Sequence, residues 1–139
     1  MTPLGEEAEA LLDRGLIGRL GFTAADGSPR VLPMWYVRDG DELQMTTGAS
    51  SFKARRLRAD PRAAFEASTL ERPYKIVTAA GTVEVEPVEG EARVELRRRI
   101  ARRYISEAAA EEYARGATWA VVRLRFRPAR VSYRDLARR

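Results

Sequence analysis

Residues 16–47 read LIGRLGFTAADGSPRVLPMWYVRDGDELQMTT. Two turn signals cut this stretch into three short runs. In the first run, Leu16, Gly18, Leu20 and Phe22 alternate with Ile17, Arg19 and Gly21, the period of a strand with one buried face. Ala25-Asp26-Gly27-Ser28 reads as a hairpin turn, because Asp-Gly accepts positive φ. PRVLPMWYVR then reads as a second strand, Asp39-Gly40-Asp41 as a second turn, and ELQMTT as a third strand. The expectation is an antiparallel meander.

The flanking segments extend it. Residues 4–14, LGEEAEALLDR, form an amphipathic helix with Leu4, Ala8, Leu11 and Leu12 on one side and Gly15 as its stop. After the third strand comes TTGASSFKARRLRADPR (46–62), a small-residue turn leading into a basic helix that stops at Asp60-Pro61. RAAFEAS is a fourth strand, and residues 73–86 form a long one in which Gly81 marks a bulge or bend. Residues 89–103 and 106–116 are helices, the second capped by Ser106 and stopped by Gly116. TWAVVRLRFRPARVSYRD closes the chain as two strands around Pro128. Strands dominate, βαβ alternation is absent, and no GxGxxG follows a strand, so a dinucleotide-binding fold is not expected. The expected class is mainly β with α. Its form is a six- to seven-stranded antiparallel barrel with short flanking helices, one domain over 1–139.

Composition narrows the chemistry. The 139 residues include neither cysteine nor histidine. That excludes disulfides, thiolate chemistry, the usual zinc sites and Ser-His-Asp triads. If the protein is an enzyme, its difficult chemistry belongs to a cofactor, with no metal. A net charge of +5 favours acidic partners. Nucleic acid is not expected, because the aromatics do not form a stacking series between cations. No apolar run reaches membrane-spanning length, and the acidic N-terminus lacks a signal-peptide core, so a cytoplasmic protein is expected.

The turn and basic helix pose a specific question. A helix N-terminus offers unpaired N–H groups and partial positive charge to a phosphate. Thr46, Thr47, Ser50 and Ser51 add hydroxyls, Gly48 permits close approach, Lys53 brings a point charge, and Arg55 or Arg56 a two-pronged one. A plain solvated basic helix fits the same residues, and the wider pattern decides between them.

That pattern is the order D-G-x-P (Asp26–Pro29), P-x-W-[FY] (Pro33–Tyr36), K-x-R-x-L-R-x-D-P-R (Lys53–Arg62), then PYKIVTAAGTVEVEP. Over residues 4–135 it resembles the split β-barrel flavin and deazaflavin oxidoreductases, whose fold is the FMN-binding, pyridoxamine 5′-phosphate oxidase-like one. The resemblance implies a homodimer with two cofactor sites at the subunit interface. The ring would lie between protomers and the phosphate on the turn and basic helix. One branch uses FMN; another uses coenzyme F420, a deazaflavin with a phosphate-linked polyglutamate tail, and this chain is more similar to the second. The implied activity is F420-dependent hydride transfer to a small conjugated substrate. The alternatives are an FMN-dependent oxidoreductase of the same fold or a flavin/F420 carrier without turnover. Authentic pyridoxamine phosphate oxidases carry further arginine and histidine residues near the C-terminus, whereas this chain ends RVSYRDLARR.

Expected cofactor-binding residues are Lys53, Arg55, Arg56, Thr46, Thr47, Ser50, Ser51, Pro33 and Trp35. Trp35 and Tyr36 point to opposite faces of their strand, so one enters the core. No catalytic residue is assigned; Tyr36, Tyr74 or a bound water are candidate proton donors. The arginines of residues 97–103 read as a solvated helix face.

Overall fold

The computed structural model describes residues 3–138. The elements run α1 (Glu6–Leu12), β1 (Gly18–Thr23), β2 (Pro29–Met34), β3 (Val37–Asp39), β4 (Glu42–Gly48), α2 (Phe52–Ala59), β5 (Arg62–Ser68), β6 (Lys75–Val88), α3 (Gly90–Ala101), α4 (Glu107–Arg115) and β7 (Val121–Asp135). The seven strands form one antiparallel sheet in the order β2-β1-β5-β6-β7-β4-β3.

That order overturns the simple meander. The run PRVLPMWYVR is not one strand. It breaks at Trp35-Tyr36 into β2, which pairs with β1, and β3, which pairs with β4. These two strands lie at opposite edges of the sheet. The three steps from Met34 to Val37 span at most about 11 Å, so the sheet must curl until its edges nearly meet at Trp35-Tyr36. This is a split β-barrel. The break is held by hydrogen bonds rather than by a turn. The Tyr104 hydroxyl accepts from Tyr36 N at 3.2 Å and donates to Leu16 O at 2.9 Å.

The barrel interior is packed by the inward residues of each strand and by α1. Leu12, Leu20, Tyr36, Met45, Phe65 and Phe126 are almost wholly inaccessible. Phe65 meets the edge of the Tyr36 ring at 5.0 Å and 80°. Gly18 is required here, because a Cβ would overlap the Phe65 ring. A second cluster lies on the outer face, where Val88, Leu96, Ile100, Ala117 and Val121 pack with Trp35, Val37 and Tyr104.

The closing segment is a single 15-residue strand, β7, not two. Pro128 is tolerated because β7 bulges there: Gly81 pairs with Pro128, while Ala80 pairs with Arg130. A bulge absorbs a residue that cannot donate to the ladder. Gly81 is needed opposite it, since a Cβ would overlap the Arg127 carbonyl oxygen.

The α3 arginines depart from a solvated face. Arg97 is buried, and Arg98 bridges Glu95 and Glu111. Arg103 donates to Leu12 O at 2.8 Å and lies over the Tyr36 ring at 4.8 Å. Among the described residues no helix is long and apolar enough to cross a membrane.

Candidate functional site

β4 ends at Gly48, and the chain turns through Ala49 and Ser50 into α2. The turn is anchored by Ala49 N donating to Ala120 O at 2.9 Å and Ser51 N donating to Gly48 O at 3.0 Å. Ser51 is the N-cap, with extended backbone (φ −65°, ψ 156°) and a hydroxyl that accepts from Ala54 N at 3.2 Å. Thr47 donates to the same hydroxyl at 3.1 Å. Both lone pairs of Ser51 Oγ are thus engaged, and its own proton is free to donate outward. The N–H groups of Phe52 and Lys53, at the first two helical positions, have no partner among the described residues.

Lys53 is half-buried with no ion pair among the described residues, and burial pushes its ammonium below the ordinary lysine range. Free N–H donors, a free hydroxyl proton and a cation without an ion pair among the described residues therefore belong to three consecutive residues, 51–53, at one helix terminus. The donor set matches a phosphate: it contains only donors and positive charge.

The other expected residues separate into groups. Arg55 is exposed and has no side-chain partner among the described residues, and Ser50 is exposed in the turn. Arg56 is half-buried and its Nε donates to Thr23 O at 3.0 Å, so it ties α2 to β1. Thr46 and Thr47 point to opposite faces of β4; Thr46 lies across from Arg123 and Thr47 across from Val122. Only Thr47 joins the Ser51 cap. Pro33 is exposed on edge strand β2, across from Arg19. Trp35 stacks on Tyr104 at 5.1 Å and 7°, toward α3 and α4. Tyr36 is the residue that enters the core. Its hydroxyl donates to Leu12 O at 2.9 Å, and burial raises its pKa far beyond the usual phenol range. It is therefore not placed to protonate a product. Tyr74 precedes β6, in a hollow with Arg72, Pro73 and Leu136.

Sequence reasoning missed Arg30. Its guanidinium lies over the Phe52 ring at 5.3 Å, and Phe52 is the residue before Lys53. Phe52 is 41% exposed and packs on Phe22 at 6.0 Å. β2 thus meets the start of α2 with a second cation that forms no direct ion pair among the described residues, although it also acts electrostatically on Asp26. Every residue of β2 before Met34 is exposed, Val31 to 66%. Nothing local signals this, because an alternating strand is expected to bury one face.

The outer face beside β2 is a shallow apolar hollow of about 540 Å³. Gly21, Val31, Ala64, Ala80 and Val131 line it, with the Arg19–Glu66 ion pair at its rim. Large exposed apolar patches of this kind mark interaction surfaces.

An antiparallel sheet curled until its edges nearly meet, with a donor-rich helix start where β4 runs into α2, defines a split-barrel protein. A family model for pyridoxamine 5′-phosphate oxidase matches residues 5–135, and the chain belongs to that family, whose members include flavin- and F420-binding oxidoreductases and some binding proteins. Among solved structures, an F420 reductase is 28% identical, with a TM-score of 0.72 over 92% of this chain and 98% of its own. A conserved hypothetical protein from Mycobacterium tuberculosis is 23% identical, with a TM-score of 0.76 over 98% of this chain and 89% of its own. A FAD-binding protein from Mesorhizobium loti is 22% identical, with a TM-score of 0.66 over 91% and 89%. The last two show the fold alone. No curated protein matches the chain by sequence.

Proposed function

We propose that this chain is a cytoplasmic, coenzyme F420-dependent oxidoreductase. It would move hydride between the deazaflavin and a small conjugated organic substrate. The observation that carries the reading is the half-buried, unpaired Lys53 beside free N–H groups at the start of α2. F420 rather than FMN is supported by the 28% identity to an F420 reductase. Arg30 and Arg55, cations beside the cradle that form no direct ion pair among the described residues, suit a ligand whose tail carries further negative charge.

The residues fit a phosphate-bearing cofactor, and each has a physical task. Lys53, Ser51 and the Phe52 and Lys53 N–H groups would hold the phosphate. Burial of Lys53 makes its charge more effective, because less water screens it. The unpaired outer edge of β2 and the Phe52 ring lie next to this cradle and would orient the planar part. When bound, the cofactor supplies hydride from its reduced ring. The protein's contribution is orientation of donor and acceptor and exclusion of water. The apolar hollow beside Val31 supports a homodimer through that face, with the partner covering the cofactor next to β2.

The test is a pair of fluorescence titrations on cofactor-free protein, one with F420 and one with FMN. Tight F420 binding with weak FMN binding is expected. The reverse preference would move the protein to the FMN branch. Binding of neither below about millimolar, worth only ~4 kcal/mol, would return α2 to a plain basic helix.

A further inference from the structure

One cavity shares no lining residue with the α2 cradle. It measures about 430 Å³, between α4 and the segment leading into β7, and is lined by Arg97, Ala109, Glu112, Tyr113, Gly116 and Trp119. Its volume falls within the range of small-molecule sites.

Arg97 gives it chemical character. The side chain is only 5% exposed, and no carboxylate pairs with it among the described residues. Nη2 donates to Tyr113 O at 2.7 Å and Nε to Ala114 O at 3.4 Å, so two of its nitrogens close the last turn of α4. Nη1 has no partner among the described residues. The guanidinium also lies over the Tyr113 ring at 4.0 Å. A buried arginine held from one side, with a free amino group on a cavity wall, is a fixed donor for an oxyanion. Such a charge is costly without a counter-charge. The α4 carbonyls supply only part of one.

Trp119 supplies the second feature. Its indole is 55% exposed and flanks Gly48, where a Cβ would lie 3.6 Å from Trp119 Cδ1. Tyr113, 37% exposed, is the other aromatic of the cavity. Glu112 is the only carboxylate on the lining; it is exposed and makes no ion pair with Arg97.

The geometry points to a second ligand site here, for a flat conjugated molecule carrying a carboxylate. Its ring stacks on Trp119 and its carboxylate accepts from Arg97 Nη1. The site does not depend on which cofactor the α2 cradle takes. It adjoins that cradle all the same, because Trp119 covers Gly48 and the Ala49 N–H bonds Ala120 O.

The probe is 2-naphthoate, titrated calorimetrically into the full chain, with neutral 2-naphthamide as control. Saturable 1:1 binding per chain is expected, at least tenfold tighter for the carboxylate. Trp119→Ala, an exposed substitution, should weaken 2-naphthoate at least tenfold without lowering the melting temperature. Arg97→Lys should erase the preference over the amide; because it also loosens the α4 clasp, it is read only in folded protein, and the Trp119 result stands without it. No saturable binding, equal affinity for the amide, or binding unchanged in Trp119→Ala would overturn the assignment.

Discussion

The Tyr104 hydroxyl accepts from the Tyr36 backbone N–H at 3.2 Å and donates to Leu16 O at 2.9 Å. One phenol thereby ties the Tyr36 N–H, at the break between β2 and β3, to the Leu16 carbonyl ahead of β1. Tyr104→Phe keeps the stacking on Trp35 but strands the Tyr36 N–H and the Leu16 carbonyl. It should cost about 1–3 kcal/mol in urea unfolding. Tyr36→Phe should cost less, about 0.5–1.5 kcal/mol, because Leu12 O keeps its bond from Arg103 at 2.8 Å. A larger loss for Tyr36→Phe would contradict this account of the break.

Gly81 faces the β7 bulge with no room for a side chain. Gly81→Ala should destabilise by about 1–3 kcal/mol or more, since the obstruction is backbone. Gly27 has nothing within 4 Å of its Cβ position but a φ of +84°. Gly27→Ala should cost only the left-handed penalty, about 1–2 kcal/mol. Thermal melts of the two variants rank them, and the order Gly27 worse than Gly81 would contradict the bulge geometry.

Lys53 and Arg56 share a helix but not a role. Burial lowers the folded pKa of Lys53, so folding disfavours its charged form. The resulting cost to stability is fully present at pH values below the folded pKa, shrinks as pH rises past it and is gone above the unfolded value of 10.5. Lys53→Met should therefore leave stability unchanged or raise it while weakening cofactor binding. The Lys53→Ala/Arg55→Ala double variant should lose about 1.5–3 kcal/mol of binding per charged contact. Arg56→Ala should instead lower stability by about 0.5–1.5 kcal/mol through the lost bond to Thr23 O. Unchanged cofactor affinity in the double variant would remove the phosphate assignment.

Glu42 receives Arg125 in a two-pronged pair, Nε at 2.8 Å and Nη2 at 2.9 Å, with Gln44 Nε2 at 3.0 Å. Arg125 holds its carboxyl below the ordinary value of 4.5. The unfolded chain therefore takes up this proton first as pH falls. Stability from Glu42 is complete above about pH 4.5 and is lost as pH drops through the lower folded value. Glu42→Gln should be less stable at neutral pH, with the gap to wild type closing as pH falls below 4.5 and through the lower folded value. A gap that does not change across urea midpoints in this range would contradict the pairing.

Much of the architecture was legible locally. Alternation in β1, the Asp26-Gly27 turn, the Asp60-Pro61 stop, the Ser51-led helix start and the Gly81 bulge are short-range features. Each depends on a residue's own backbone limits or on neighbours a few positions away. The split of residues 29–38 was not legible, because its hydrophobicity is continuous and its decisive partner, Tyr104, lies on the far side of α3. The same holds for Arg30, which meets Phe52 only because β2 packs beside α2. Thr46 and Thr47 look equivalent as letters, yet strand alternation sends only Thr47 to the cap. The arginines of α3 look like a solvated face until α4 and α1 place carbonyls and carboxylates against them. Apart from the break at Trp35-Tyr36 and the continuity of β7, the sequence by itself determined which segments are strands and helices, and where a donor-rich helix start lies, since these follow from local periodicity and capping. Only the tertiary structure decided which strand edges meet, which cations stay unpaired, and which surfaces remain apolar and open. Those outcomes depend on contacts between residues far apart in the chain, and no local pattern encodes them.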